Sequence, residues 1–404
     1  MKLVMQVKLL PTAVQAAALA ETLHTCNAAA NFVSRIGFDS GMTRNYDLRK
    51  AAYRQVRDAG LGSQAAQHVI KKVADAYTTL RANLAAGNLG RPGSKRRARA
   101  ERKPIVFRAD AAQAFDQRNL SIAPDAGTVS IWTTRGRCKD ITFVCSTKAR
   151  KALAECPRGE SDLLCRDGKW LLLVTVDVPE QPLDENPEGF IGVDLGIANI
   201  ATTSGGYRAA GRGLNRHRAR QAALRQQLQK KRTKAAKRVL KRQCRRERRR
   251  ATDINHCISK RIVAEAERTG YGIALEELTG IRSRVRHRQP QRAAFHSWAF
   301  AQLASFISYK ARRAGVPVVF VDPAYTSQTC ADCGHVSARN RVDQTLFICR
   351  DCGVVAHADR NASRNIAHRA AVAGTRGGSH PPPHAVPDRA ECWMRQAPRQ
   401  PAGT

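Results

Sequence analysis

The sequence predicts an α/β protein in two parts: an N-terminal β-barrel carrying a helical insertion, then an α/β domain interrupted by a small metal-binding ribbon. Three observations lead there. Strand patterns at residues 1–10 and 105–178 bracket a long helical block. Strand and helix patterns alternate from residue 190 to residue 321. Four cysteines in two Cys-x-x-Cys pairs then break that alternation.

Val4, Gln6 and Lys8 alternate with Met5, Val7 and Leu9, a strand period. Pro11 and Thr12 open a helical block that reaches residue 90. In "SQAAQHVIKKVADAYTTLRANL", Val69, Val73, Tyr77 and Leu80 recur at helical spacing, and Ser63 is the expected N-cap. The stretch "GNLGRPGSKRRARAERKP" reads as an exposed connector that meets phosphates. "LSIAPDAGTVSIWTT", "DITFVCS" and "KWLLLVTVDVP" are short strands between turn residues, and together with residues 1–10 they make one barrel.

"GFIGVDLGIANIATTSGGYRAAG" reads as a strand, a Gly-rich bend and a second strand. Residues 208–250 then hold nineteen Lys and Arg against one acid, Glu247. Leu224, Leu228, Ala235 and Val239 suggest one helix there, and Ile254, Ile258 and Ile262 mark the apolar face of another. A cationic helical hairpin over residues 211–269 accounts for both. "YGIALEEL" is a strand, residues 294–314 a helix, and "VPVVFV" a further strand. Residues 371–404 are rich in Pro and Gly and are expected to be a disordered tail.

The 404 residues carry 69 Lys and Arg against 33 Asp and Glu, a formal charge of +36. Such self-repulsion destabilises a compact chain unless a polyanion offsets it, and nucleic acid is the first candidate. An acidic membrane fits less well, because no apolar run is long enough to span a bilayer. "MKLVMQVKLLPTAVQ" is too short and polar for a signal peptide, so the expected location is the cytoplasm. Eight of the twelve cysteines are scattered and read as reduced packing residues.

The other four, Cys330, Cys333, Cys349 and Cys352, have zinc-ribbon spacing. Each pair sits in a knuckle, "CADCGH" and "CRDCGV", where Gly334 and Gly353 allow the tight turn. Four thiolates saturate one tetrahedral Zn2+, so this metal is structural. An iron–sulfur cluster is the lesser alternative.

Three acids suggest a second, different metal site. In "IGVDLG", Gly192, Asp194 and Gly196 share one strand face, which leaves space beside the carboxylate. In "GIALEELTG", Ala274 and Glu276 share a face, and Glu277 falls on the other. Asp359 opens the helical pattern "HADRNASRNIAHRA". Taken singly, Asp194 and Glu276 also read as structural acids at strand ends, and Asp359 as an N-cap. Taken together in so basic a chain, they suit two Mg2+ ions and a phosphodiester.

"IGVDLGIANIATTSGG", "IALEELTGIR", "YTSQTCADCGH" and "FICRDCGVVAHADRNASRNIA" together resemble the TnpB family, the OrfB proteins of insertion sequences. The resemblance covers residues 188–370. Upstream it holds only in outline.

It implies an RNase H-like (RuvC) nuclease domain over residues 188–325 and 355–370, with a target-binding zinc ribbon inserted at 326–354. Residues 1–13 and 100–187 would form the wedge barrel and 14–99 the helical recognition domain. It also implies an RNA-guided DNA endonuclease that cuts target double-stranded DNA beside a short adjacent motif. Its cofactors would be Mg2+, one Zn2+ and a guide RNA made from the transposon end.

By position, Asp194, Glu276 and Asp359 match the three catalytic acids, and the four cysteines match the ribbon. Asn361 and Asn365 match the pattern as supporting or capping residues, and Tyr325, Thr326 and Ser327 set the entry turn. Arg341 is a candidate contact to the scissile strand. Gln64, Gln67, Lys71 and Lys72 are candidate contacts on an exposed-looking helix. Two other readings share the core: a miniature type V CRISPR effector, and a nuclease-inactive RNA-guided repressor. The expected setting is a bacterial or archaeal nucleoid, and the sequence leaves the oligomeric state open.

Overall fold

The computed structural model describes residues 1–278 and 300–374. Of the tail expected over residues 371–404, residues 371–374 instead continue the last helix, and the remainder, like the first residues of the helix expected from 294, lies outside the described residues. Two compact units divide after Pro179.

In the first unit, strand β1 (Lys2–Leu9) leads into helices α1 (Ala13–Ser40), α2 (Asn45–Asp58), α3 (Ser63–Ala85) and α4 (Lys95–Glu101). Then follow β2 (Gln113–Phe115), β3 (Leu120–Ala123), β4 (Thr128–Thr133), β5 (Gly136–Val144), α5 (Thr147–Glu155), β6 (Arg158–Arg166) and β7 (Lys169–Asp177). The strands form one antiparallel sheet in the order β2-β6-β7-β1-β5-β4-β3. Irregular register in β4 and β6 helps it curl around a single core of Val7, Leu9, Phe115, Ile131, Phe143 and Leu172. The sheet is barrel-like, and its end strands β2 and β3 are not paired with each other.

Helix α1 belongs to two cores. Its Leu19 and Leu23 plug the barrel, while Cys26, Ala30 and Val33 pack with Leu48, Val69 and Val73 of α2 and α3. Thr12 caps α1 in a reciprocal capping box with Gln15. Ser63 is not the cap of α3. Gly62 holds that place without a side-chain bond, and Ser63 is the first helical residue. A Cβ on Gly62 would stand 3.3 Å from the Trp132 ring, so glycine suits that position.

The second unit is built on β8 (Phe190–Asp194), β9 (Asn199–Thr203), β10 (Arg208–Ala210), β11 (Gly272–Glu276) and β12 (Val318–Val321), ordered β10-β9-β8-β11-β12. The first three form an antiparallel meander, whereas β8, β11 and β12 are parallel. The short third strand, β10, was not expected from "GGYRAAG". Helices α6 (Arg212–Lys231) and α7 (Lys234–Thr269) connect β10 to β11, and α8 (Phe300–Arg313) precedes β12. They form the expected hairpin, but its turn lies at Arg232 and Thr233, so Ala235 and Val239 belong to the second helix.

The period of two sorts the sheet faces. Ile191, Val193, Ile273 and Leu275 pack with Ile258 and Ile262 of α7 and Leu303 and Ile307 of α8. The alternate residues Gly192 and Ala274, paired across the strands, turn to the other face. There they meet the last helix, α9 (Ala358–Gly374), whose Ile366 and Ala370 pack on Ala274. The space at Gly192 is filled by this helix. A Cβ at Gly192 would stand 1.9 Å from the Ser363 carbonyl oxygen and 2.5 Å from the Ala367 nitrogen. Among the described residues, no helix is long and apolar enough to cross a membrane.

Gly192→Ala should therefore push α9 off the sheet and destabilise the second unit by more than about 3 kcal/mol. Thermal unfolding of the variant measures this, and an unchanged melting temperature would refute the close approach.

Candidate active site

Asp194 and Glu276 lie at the carboxyl ends of the parallel neighbours β8 and β11, on the face that α9 covers. The ribbon hairpin β13 (Leu346–Ile348) and β14 (Val355–His357) runs directly into α9, so Asp359 arrives in that helix's first turn. The structure thus brings the three acids together. Burial first, and then the charges of Glu276 and Asp359, push the Asp194 carboxyl up to about 8. Glu276 is also raised, by burial, against the opposing pull of the Thr326 hydroxyl.

Asp359 is not the helix cap. It lies inside the helix that begins at Ala358, and its backbone N–H donates to His357 Nδ1 at 3.2 Å. One oxygen accepts from Asn199 Nδ2 at 2.8 Å, and the other lies 3.7 Å from the Arg341 guanidinium. Arg341 therefore stands beside the acids, although it comes from the ribbon.

Thr326 donates to Glu276 Oε1 at 2.6 Å. Asn365 Nδ2 donates to the Thr326 and Thr329 carbonyls at 2.9 and 2.7 Å. Asn361 accepts from the Ala331 N–H at 2.9 Å and donates to the Thr329 carbonyl at 2.7 Å. Both asparagines thus fasten α9 to the entry of the ribbon, and Glu276 is tied to the same entry. Tyr325 takes a left-handed conformation in that turn, with φ +61°, and its carbonyl accepts from Gln328 and Thr329. Asn199 and His357 were not singled out from sequence. The signal for Asn199 was a polar residue opening a strand within the first motif.

The four cysteine sulfurs lie within 4.8 Å of one another. Cys330 and Cys352 are 3.8 Å apart, and Cys333 and Cys349 are 3.5 Å apart. A tetrahedron with arms of about 2.3 Å has edges near this length, so the cluster fits one zinc ion. The two knuckles have matching backbone bonds. Gly334 and Gly353 donate to the Cys330 and Cys349 carbonyls, and those cysteines donate to His335 and Val354. Both glycines have positive φ, as the turn requires.

The helix α3 candidates stand elsewhere, in the first unit. Lys72 is directed inward, contrary to the expected exposure. Its ammonium donates to Asn27 Oδ1 and the Ala112 carbonyl at 2.6 Å each, and burial pulls it down to about 8. Lys71 is exposed and paired with Glu160 at 2.6 Å. Gln64 is engaged by Asp116 and Arg118, and Gln67 is half-buried.

Two family models match the chain. Residues 173–279 match OrfB of IS605, described as "Probable transposase", and residues 300–366 match "Cas12f1-like, TNB domain". The TnpB resemblance is borne out. A TnpB-like protein of Methanocaldococcus jannaschii is 36% identical over 121 residues, 30% of this chain and 43% of its own length. The CRISPR-associated endodeoxyribonuclease Cas12f1 of Sulfoacidibacillus thermotolerans is 33% identical over 220 residues, half of each chain. The chain spans about half the length of the curated relatives it matches. A solved Cas12f1–sgRNA–target DNA complex has 15% identity and a TM-score of 0.57, covering 86% of this chain and 82% of the other. That likeness is one of fold, and it is consistent with a RuvC-type nuclease fold for the TnpB-like region.

Two predictions test the site. Purified protein should carry about one zinc per chain by elemental analysis, and chelation should lower its melting temperature. Iron, or no metal, would refute the zinc. The raised Asp194 carboxyl favours the protonated fold, so metal-free stability is full below about pH 4 and is lost as pH rises through about 8. Asp194→Asn should therefore raise the metal-free melting temperature by about 4 °C at pH 8, with a smaller gain at pH 5.

Proposed function

We propose that this chain is an RNA-guided DNA endonuclease of an insertion sequence, cutting target DNA by RuvC-type hydrolysis at Asp194, Glu276 and Asp359. The observation that carries the reading is the convergence of two carboxylates at the ends of parallel strands with a third from the first turn of α9, in a chain of charge +36. A cationic groove that binds nucleic acid has no use for mutually repelling acids unless hard cations bind there with the phosphate. The donor set fits that use: oxygens only, partly buried, and too repulsive to be comfortable alone.

When bound, Mg2+ would supply an activated water and stabilise the leaving oxygen of the phosphodiester. The chain's own residues do the positioning. Asn199 and Arg341 hold the two oxygens of Asp359, and Thr326 holds one oxygen of Glu276. Arg341 keeps a guanidinium beside the acids, where it would meet a phosphate oxygen of the strand to be cut. The zinc would hold the ribbon's shape through the thiolates and take no part in the chemistry.

In this reading the barrel-like sheet is the wedge, α1 to α3 the recognition helices, and the ribbon the target-binding module. A guide RNA from the transposon end would pair with the target strand. The basic α6–α7 hairpin would grip the backbone of that heteroduplex, which needs many cations and few base-reading groups. The transposase match over residues 173–279 favours an insertion-sequence protein over a miniature CRISPR effector. The presence of all three acids argues against an inactive repressor.

Protein purified with its RNA should cut a plasmid bearing the matching target, and Asp194→Ala should lower cleavage by at least about 10³-fold while target binding persists. Undiminished cleavage by that variant would remove Asp194 from the site.

A further inference from the structure

Strand β9 breaks its own alternation. Against β10 it pairs Thr202 with Arg208 and Ala201 with Ala209, then skips Ile200 and pairs Asn199 with Ala210. That is a β-bulge, in which the extra residue shifts the period of two and re-aims the side chain beyond it. Ile200 and Ala201 accordingly both belong to the core that holds Val193, on the α7 and α8 side of the sheet. Asn199 and Thr202, three residues apart, are both turned to the other face, where the acids stand. Asn199 makes its bond there, to Asp359.

Thr202 meets Asp194. The two are direct partners in the antiparallel β8–β9 ladder, so their side chains share a face, with Cβ atoms about 4.5–5.5 Å apart. Thr202 is 4% exposed, and its Oγ1 is buried without a hydrogen-bond partner. An enclosed hydroxyl of this kind is satisfied from within the protein or not at all. Two other hydroxyls of this region are committed: Ser204 accepts the Gly192 N–H at 3.1 Å, and Ser363 donates to the Arg360 carbonyl at 2.9 Å.

The three acids are unequally held. Asn199 and Arg341 hold Asp359, and Thr326 holds Glu276. The Leu195 backbone N–H serves Asp194, and among the described residues no side chain is hydrogen-bonded to it. An unpaired hydroxyl and an acid without a side-chain donor are thus direct neighbours. Each oxygen lies one bond beyond Cβ or Cγ, so rotation about χ1 brings them to hydrogen-bond distance.

We propose that Thr202 is the positioning residue for Asp194: when Asp194 holds a cation, the Thr202 hydroxyl donates to the carboxylate and fixes which oxygen faces the metal. Carboxylates that ligate metals are held by such hydrogen bonds, and a bond to an ionised acceptor is stronger than one between neutral groups. All three acids then have a side-chain donor. The inference rests on the reading of Asp194 as a metal ligand, and it adds a residue that touches neither metal nor DNA.

The test is Mn2+ binding by the full chain, freed of copurified RNA, read from the electron paramagnetic resonance of the free ion. Binding that Asp194→Asn removes defines the acid site. Thr202→Val replaces the hydroxyl with a methyl group of similar size and should weaken binding at that site about tenfold. Thr202→Ser keeps the hydroxyl and should bind as the native chain does. A packing role predicts the reverse order, with native affinity in Thr202→Val and loss in Thr202→Ser.

Native affinity in Thr202→Val, or an equal loss in Thr202→Ser, overturns the role of Thr202 and leaves Asp194 a ligand. If Thr202→Val does not fold by circular dichroism, Thr202→Ala against Thr202→Ser decides, and equal affinities overturn the role. Mn2+ binding that Asp194→Asn leaves unchanged would overturn the metal reading of the acids, and the role of Thr202 with it.

Discussion

The second unit depends on one close approach: the backbone of α9 lying against β8 at Gly192. A side chain there would meet the helix at a distance no Cβ tolerates. Because the helix sits so low, Asp359 in its first turn reaches the acids on β8 and β11. The same docking sets Asn361 and Asn365 against the ribbon entry, so the four-cysteine ribbon is fastened to the sheet by the helix that delivers the last acid. Glu276 joins the arrangement through Thr326. One packing contact thus aligns three acids and an inserted module.

The charges explain why this arrangement suits a cation and a polyanion. Three carboxylates share a partly buried site, and burial first, then that proximity, raises Asp194. Arg341 opposes the rise at Asp194 only in part, and Arg369 does the same at Glu276. The thiols show the contrasting case. Among the described residues they form a set tight enough to surround an ion with protein atoms alone, whereas the acids leave places for water and phosphate oxygens.

Much of this was legible because it rests on local rules. The period of two assigned β1, β8, β11 and β12, and it put Asp194 and Glu276 on one strand face. Knuckle spacing named the four zinc ligands. The helical period of α3 was read correctly at Val69, Val73 and Tyr77, all buried in the helical core. Errors came where a distant partner decided. Lys72 turned inward because Asn27 and the Ala112 carbonyl receive it. Sequence also read the room beside Gly192 as space for metal and phosphate, when a helix backbone occupies it.

By itself the sequence determined the element types, the zinc-binding residues, the identity of the three acids and the cationic hairpin. These follow from spacing, strand alternation and charge density, which are properties of neighbours along the chain. Tertiary structure decided the rest. It brought Asn199 and Arg341 to the Asp359 carboxylate and tied Glu276 to the Thr326 hydroxyl. Each of these depends on residues far apart in sequence meeting in space, and no local pattern encodes which partner will arrive.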